Sequence, residues 1–161
     1  MGKSGKMWLI KSKGGDDEML MGEHAHTIDA KGRVILPAEF RGDLGEHFVI
    51  TRGLDNCLFV YGEEEWKKFS DKLISLPTTN KDARALVRYF LSGARQLECD
   101  RQGRFLIPSN LRQHAKLKKD VLLNGLVNRI EVWSKEEWTS YNDTTSASVE
   151  DMAASLADFG I

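Results

Sequence analysis

The chain of 161 residues has little cysteine, little proline and no long apolar run. Its two cysteines, Cys57 and Cys99, are far apart and form no Cys-x-x-Cys pair, which argues against a disulfide framework and a zinc ribbon. No apolar stretch approaches the roughly 18 to 20 residues of a membrane span, and the short apolar run at residues 7–10 is too brief for a signal peptide. We therefore expect a cytoplasmic protein with no membrane partner.

Charge is distributed unevenly along the chain, although the formal net charge is only -1. Residues 142–161 contain four acidic residues and no lysine or arginine, whereas residues 101–119 contain six basic residues and no acid. The basic run is compatible with polyanion binding, although charge alone favours a solvated loop and helix face.

The chain contains an internal repeat. Residues 27–41 and 98–112 are identical at five of fifteen positions, and residues 49–66 and 121–138 at eight of eighteen. The identical pairs of the first segment are Asp29/Asp100, Gly32/Gly103, Arg33/Arg104, Pro37/Pro108 and Arg41/Arg112. Two copies of about 60 residues are too few for a solenoid, so we expect a tandem duplication with two-fold pseudo-symmetry.

Each copy is predicted to be mostly β with helical ends. In the first copy, a strand at 26–28 is followed by a turn and a return strand at 33–36, which Pro37 ends. A helical turn at 38–44 and a hairpin with strands at 47–51 and 57–61 come next.

Two helices are also predicted. One begins at Glu63 and has an apolar stripe that should be core, and the other, at 81–91, joins the copies between an N-cap at Asn80 and a stop at Gly93. The stripe comprises Trp66, Phe69, Leu73, Ile74 and Leu76.

The chain is thus predicted to have five parts. They are an N-terminal extension that is disordered or artificially added (1–18), a first repeat (19–76), a linker helix (77–95), a second repeat (96–141) and an acidic C-terminal tail (142–161).

Both copies carry Asp-x-x-x-Arg at the predicted turn, with glycine before the arginine: Asp29 with Arg33, and Asp100 with Arg104. The carboxylate can pair with the guanidinium or brace the turn backbone, and a braced arginine suits a guanine edge or a phosphate. A salt bridge that only stabilises the turn is the alternative.

Lys31 and Arg101 add a positive charge to the two tips. Because the second turn lies within the basic run 101–119, we expect it to supply more of the electrostatic attraction to a polyanion.

The sequence gives less support to an enzymatic function. His24-x-His26 offers two metal ligands but no third, and Cys99 with His114 lacks an orienting group for nucleophilic catalysis. The acids at 63–65 fit a helix N-terminus better than a catalytic carboxylate pair. The chain has no Walker, Rossmann or Gly-x-Ser-x-Gly motif.

These motifs closely resemble the MraZ family of bacterial transcriptional regulators over residues 19–141. The resemblance rests on DAKGRVILPAEFR (29–41), TRGLDNCLFVY (51–61), DRQGR (100–104) and LVNRIEVW (126–133). It implies an α+β fold that is mainly β, with two fused AbrB-like swapped-hairpin halves of a β-barrel, related by a pseudo-two-fold axis and joined by a helix.

The resemblance also implies a function. Family members form ring-shaped homo-oligomers, typically octamers, associate with the nucleoid, and bind G-rich direct repeats upstream of their own operon, the division and cell-wall cluster. Arg33 and Arg104 fall on the motif arginines implicated in DNA contact and Asp29 and Asp100 on the motif acids, whereas Lys31 and Arg101 carry over more weakly. We expect no catalysis, cofactor, metal or small-molecule substrate; an assembly scaffold remains the alternative.

Overall fold

The computed structural model describes residues 19–160, so the predicted extension at 1–18 lies outside the described residues. The fold is α+β and mainly antiparallel in its sheets. The strands within residues 19–160 are β1 (Leu20–Thr27), β2 (Arg33–Ile35), β3 (His47–Arg52), β4 (Leu58–Gly62), β5 (Arg95–Glu98), β6 (Arg104–Leu106), β7 (Asp120–Val127) and β8 (Ile130–Ser134).

In the described part of the chain, six α-helices accompany these strands. They are α1 (Ala38–Leu44), α2 (Glu63–Ile74), α3 (Lys81–Ser92), α4 (Ser109–His114), α5 (Lys135–Thr145) and α6 (Val149–Ser155). Short 3-10 turns, Ser146–Ser148 and Ala157–Phe159, flank α6. Between residues 19 and 160, no helix combines the length and hydropathy needed to cross a membrane.

The strands exchange partners between the two repeats. The large sheet has the order β1-β7-β8-β4-β3-β5, so the first strand of each repeat lies beside the hairpin of the other repeat. The short strands β2 and β6 form a separate two-stranded ribbon. Exchanging every strand for its counterpart in the other repeat leaves both orders unchanged.

The return strand β2 therefore does not form the local hairpin that its sequence predicts. Only one bridge, between Ile28 and Val34, joins it to the chain before the turn. Its ladder is with β6, where Arg33 lies opposite Leu106 and Ile35 lies opposite Arg104. Each arm of the predicted hairpin thus pairs mainly with the other repeat.

Hydrophobic cores lie on both faces of the large sheet. On one face, the ribbon and helices α1 and α4 cover a core that includes Val34, Phe40, Phe105 and Leu111. On the other face, α2, α3 and α5 contribute to an aromatic core that includes Trp133. The ribbon is thus fixed to the sheet by its inward side chains, while its outer face stays accessible.

The helical predictions are confirmed in most respects. Asn80 caps α3 by accepting a hydrogen bond from Ala83 N at 3.0 Å, and α2 begins at Glu63. Ile74 is wrong as a core residue, because it is 66% exposed while Leu73 is buried. Adjacent helical residues point about 100° apart, so the stripe that faces the sheet through Leu73 leaves Ile74 in solvent.

The alignment of the repeats also needs a correction at β3 and β7. Phe48 pairs with Gly62 and Val121 with Ser134, so the structure matches Phe48, rather than Val49, with Val121. This shift of one residue in the alignment arises because the connection between α4 and β7 has five residues, whereas the connection between α1 and β3 has two. The turn between β3 and β4 is one residue longer than the turn between β7 and β8. This extra residue restores the alignment of the two repeats at β4 and β8.

We expect Phe105→Ala to lower the free energy of unfolding by about 3–5 kcal/mol, because Phe105 is only 2% exposed and packs edge-on against Phe48. Leu106→Ala is the matched control, because its side chain is 49% exposed on the other face of the same strand, and its effect should stay near 0.5 kcal/mol. Urea denaturation measures both values, and equal losses would contradict the assignment of the inward face.

Candidate nucleic-acid interface

The first turn is closed by both carboxylate oxygens of Asp29. Oδ1 accepts hydrogen bonds from the backbone N–H of Lys31 at 2.9 Å and of Arg33 at 2.8 Å. Oδ2 accepts from Nε of Arg33 at 2.8 Å. Gly32 has a φ of +90°, a conformation that glycine adopts without the steric penalty of a side chain. The Asp-x-x-Gly-Arg spacing therefore builds one tight turn that holds its own arginine.

The second turn repeats this geometry. Asp100 Oδ1 accepts from the backbone N–H of Gln102 and of Arg104, both at 2.9 Å, and Oδ2 accepts from Nε of Arg104 at 2.9 Å. Gly103 has a φ of +78°. Both interactions suggested by the sequence, backbone bracing and ion pairing, are thus present in each turn.

The bracing stabilises the ionised form of each acid. The pKa of Asp29 falls from 3.8 to about 2, chiefly because the backbone N–H of Arg33 donates to it, with further contributions from the Arg33 side chain and the N–H of Lys31. The pKa of Asp100 is lowered, for which the N–H of Arg104 is the largest cause. Both carboxylates are therefore charged at neutral pH.

The two motif arginines share one cleft on the outer face of the ribbon. Arg33 and Arg104 line it together with Glu98, Cys99 and other residues, and its volume is about 330 Å3. Their side chains are 31% and 28% exposed. Within residues 19–160, Nε is the only guanidinium nitrogen of each arginine that makes a hydrogen bond, so the two terminal nitrogens remain available to a ligand.

An apolar surface accompanies the arginines. Ile35 is 40% exposed and Leu106 49% exposed, and the ladder places them on the same side as Arg33 and Arg104. Two guanidinium groups beside exposed aliphatic groups can contact phosphates and base edges, including a thymine methyl group.

Comparison with known proteins identifies the family. The family model described as "MraZ protein, putative antitoxin-like" matches the chain twice, over residues 19–89 and 90–160. The chain belongs to the MraZ family.

Three similar MraZ proteins, each named "Transcriptional regulator MraZ", come from different bacteria. The protein of Thermoanaerobacter pseudethanolicus is 59% identical over 143 residues, that of Halothermothrix orenii 55% and that of Alkaliphilus metalliredigens 52%. Each alignment covers 89% of this chain and 100% of the relative. The likeness thus extends over both repeats.

Two further arginines support the turns, and the prediction of the site from sequence missed them. The Arg112 guanidinium lies against Gly32, where an added Cβ would be 2.7 Å from its Cζ, and Arg41 lies against Gly103 in the same way. Arg41 also donates from Nε to the carbonyl of Leu36 at 2.9 Å. Each helix arginine of this MraZ chain thus crosses to the turn of the other repeat.

The tip residues Lys31 and Arg101 are exposed, one on each turn. The turns lie at opposite ends of the antiparallel ribbon, since Arg33 begins β2 and Arg104 begins β6. The two tips therefore add positive charge at separate places rather than to one cluster.

The residues considered for catalysis or metal binding have other surroundings. The His24 ring packs edge-on against Phe40, with ring centroids 4.7 Å apart, and burial, followed by the charge of His24, lowers the pKa of His26. Burial raises the pKa of the Cys99 thiol, and His114 Nε2 lies 3.2 Å from the Tyr89 hydroxyl. Within residues 19–160, no three His, Cys, Asp or Glu side chains are grouped to hold a metal ion.

We expect Asp29 to keep a pKa well below 3.8 in Arg33→Met, because the backbone N–H of residue 33 is the largest cause of the shift. Since the folded-state pKa lies below the unfolded value, the carboxylate stabilises the turn above about pH 4, and this contribution is lost as the pH falls towards 2. NMR titration of the Asp29 carboxyl carbon tests this. A return to 3.8 in the variant would mean that the guanidinium causes the shift.

We expect Gly32→Ala to lower the free energy of unfolding by about 1–3 kcal/mol, because the new Cβ meets the Arg112 guanidinium and the φ is positive. Adding Arg112→Ala to Gly32→Ala should restore only the part of the unfolding free energy that the steric clash removes, because the positive φ remains. Gly42→Ala is the matched control: nothing lies within 4 Å of the new Cβ, and alanine favours helix α1 by about 1 kcal/mol. Urea denaturation that finds Gly32→Ala neutral would contradict the proposed contact.

Proposed function

We propose that this chain is a DNA-binding transcriptional regulator that acts through its two braced turns. Its targets are G-rich direct repeats upstream of its own operon, in the division and cell-wall gene cluster, and it acts in the cytoplasm on the nucleoid. The proposal is supported by the regulator name of its relatives and by the geometry of the motif arginines.

The shared cleft of Arg33 and Arg104 carries this proposal. In each turn, Asp fixes the guanidinium through Nε and leaves its outer edge for a ligand. A planar fork of donors matches O6 and N7 of guanine, or two phosphate oxygens. Fixing the arginine in advance lowers the conformational entropy lost on binding.

In this proposal the two repeats form a swapped-hairpin unit with pseudo-two-fold symmetry. The strand order supports it, because exchanging the repeats leaves the order of both sheets unchanged. We retain the proposed division into a first repeat (19–76), a linker helix (77–95), a second repeat (96–141) and an acidic tail (142–161). The boundary between the two family matches, at residues 89 and 90, falls within helix α3.

We further propose that the protein assembles into a ring, an octamer by family resemblance. A chain with a net charge of -1 gains little from counterion release alone. A ring that presents several arginine pairs to repeated DNA sites gains by effective concentration instead. The protein then acts by binding and not by catalysis, and needs no cofactor.

The competing function is an assembly scaffold whose arginine turns contact other subunits. Within the chain, the motif arginines are partly exposed on one outer surface, which is open to DNA and to another subunit alike. The scaffold and the regulator differ in what loss of these arginines does to the assembly.

We expect Arg33→Ala with Arg104→Ala to reduce affinity for a duplex of several G-rich repeats at least about 30-fold, since each lost bidentate contact costs about 1–3 kcal/mol. The oligomer mass should stay unchanged. Fluorescence anisotropy at two salt concentrations, beside a scrambled duplex, measures affinity, and light scattering measures mass.

Arg84→Ala with Arg88→Ala is the charge-matched control, because both residues are exposed on α3 at the other face of the sheet, and it should bind like the unaltered protein. Loss of the oligomer in the motif double variant would favour the scaffold. Equal and weak binding of both duplexes by the unaltered protein would contradict sequence-specific regulation.

A further inference from the structure

The connection between α4 and β7 belongs to the second repeat, yet it lies beside the first turn. Ile28 donates from N to the carbonyl of Lys119 at 2.8 Å, one residue before Asp29. The Arg112 guanidinium lies against Gly32, and Ile107 N donates to the Gly32 carbonyl at 2.9 Å. The strand exchange has therefore carried much of the basic run 101–119 to the opposite turn.

This position corrects an expectation from the sequence. The sequence predicts that the second turn is the more electropositive, because it lies within the run 101–119. In the structure only Arg101 and Arg104 of that run belong to the second turn, whereas Arg112 lies against Gly32 of the first turn and the carbonyl of Lys119 accepts from Ile28 just before it.

The side of α4 that leads to this connection forms a basic groove. The groove has a volume of about 340 Å3, and no acidic residue lines it. Arg112, Lys116 and Lys118 are among its lining residues. Lys118 is engaged with Glu136 at 3.0 Å, whereas Lys116 and Lys119 are exposed and form no ion pair within residues 19–160. Lys119 lies next to the groove and lines a second cleft, whose lining includes Asp120, Glu136 and Asp143.

The matching place beside the second turn is different. There the connection between α1 and β3 is only Gly45–Glu46 and carries a negative charge in place of the lysines. Near it, His47 Nδ1 lies 3.4 Å from Glu98, and Glu98 lines the cleft of the motif arginines. The two ends of the ribbon thus have the same turn geometry and unequal charge.

We propose that Lys116 and Lys119, together with Arg112, form a phosphate-contacting patch that makes the first turn the electrostatic anchor on DNA. The assignment rests on the proposed function. The patch extends the contact along the backbone beyond the braced arginines, and the second turn, with fewer free cations, relies more on contacts to base edges.

The test is the salt dependence of DNA binding. Lys116→Gln with Lys119→Gln should reduce the slope of log K against log salt by about 2, since each phosphate contact contributes about 0.9. Affinity should fall for the repeat duplex and the scrambled duplex alike, because phosphates carry no sequence information. Lys116 has a left-handed backbone conformation, with a φ of +57°. Glutamine keeps a long, unbranched side chain at this position, so the substitution removes the charge with little change in backbone strain.

Lys72→Gln with Lys81→Gln removes the same charge from exposed positions on α2 and α3, and should leave the slope unchanged. An equal fall in slope for both double variants would mean that net charge alone acts, and would overturn the patch. An unchanged slope in the Lys116 and Lys119 variant, while the unaltered protein binds DNA, would also overturn it and leave the proposed function intact. Failure of the unaltered protein to bind DNA would overturn both.

A double-mutant cycle assigns the patch to one turn. Combined with Arg33→Ala, the loss of the two lysines should be non-additive, because both changes act on the same docked end. Combined with Arg104→Ala, it should be additive. Equal coupling to both arginines, or stronger coupling to Arg104, would overturn the assignment to the first turn.

Discussion

The antiparallel pairing of β2 with β6 is the contact on which both turns depend. These strands have three residues each and belong to different repeats. Backbone hydrogen bonds extend the ladder at both ends, from Leu36 N to the Gly103 carbonyl and from Ile107 N to the Gly32 carbonyl, each at 2.9 Å. Because each turn is attached to the strand of the other repeat, the other copy fixes where the turn lies on the sheet, while the turn itself orients its arginine.

Within that frame, each motif acid acts on geometry more than on stability. An exposed ion pair contributes little free energy, typically below about 1 kcal/mol. One carboxylate oxygen of Asp29, however, accepts hydrogen bonds from two backbone N–H groups, and the other accepts from Nε of Arg33. The same carboxylate therefore sets the turn and orients the guanidinium, and the outer nitrogens keep their capacity to bind a ligand.

Much of this could be predicted from the sequence, because short-range chemistry determines it. The duplication follows from comparing the two halves of the sequence. The turn at Asp29, the N-cap at Asn80 and the start of α2 at Glu63 depend on residues within a few positions of one another. The pairing of strands between the two repeats could not be predicted in this way, since a strand of three residues is too short for its sequence pattern to identify the strand it pairs with. The roles of Arg41 and Arg112 depend on that exchange, and their identity across the repeats was the only signal.

The pairing of strands between the repeats also explains why the distribution of charge along the sequence does not predict where that charge lies in the structure. In a symmetric dimer of identical chains, both turns would have the same neighbours. A duplicated chain keeps the shared geometry while its copies diverge, and here the divergence is concentrated where one connection has five residues and the other two. The connection encoded in the second repeat, with its lysines, lies beside the turn encoded in the first. A single chain therefore has a direction along the ribbon, which suits the proposed direct repeats in DNA better than inverted ones.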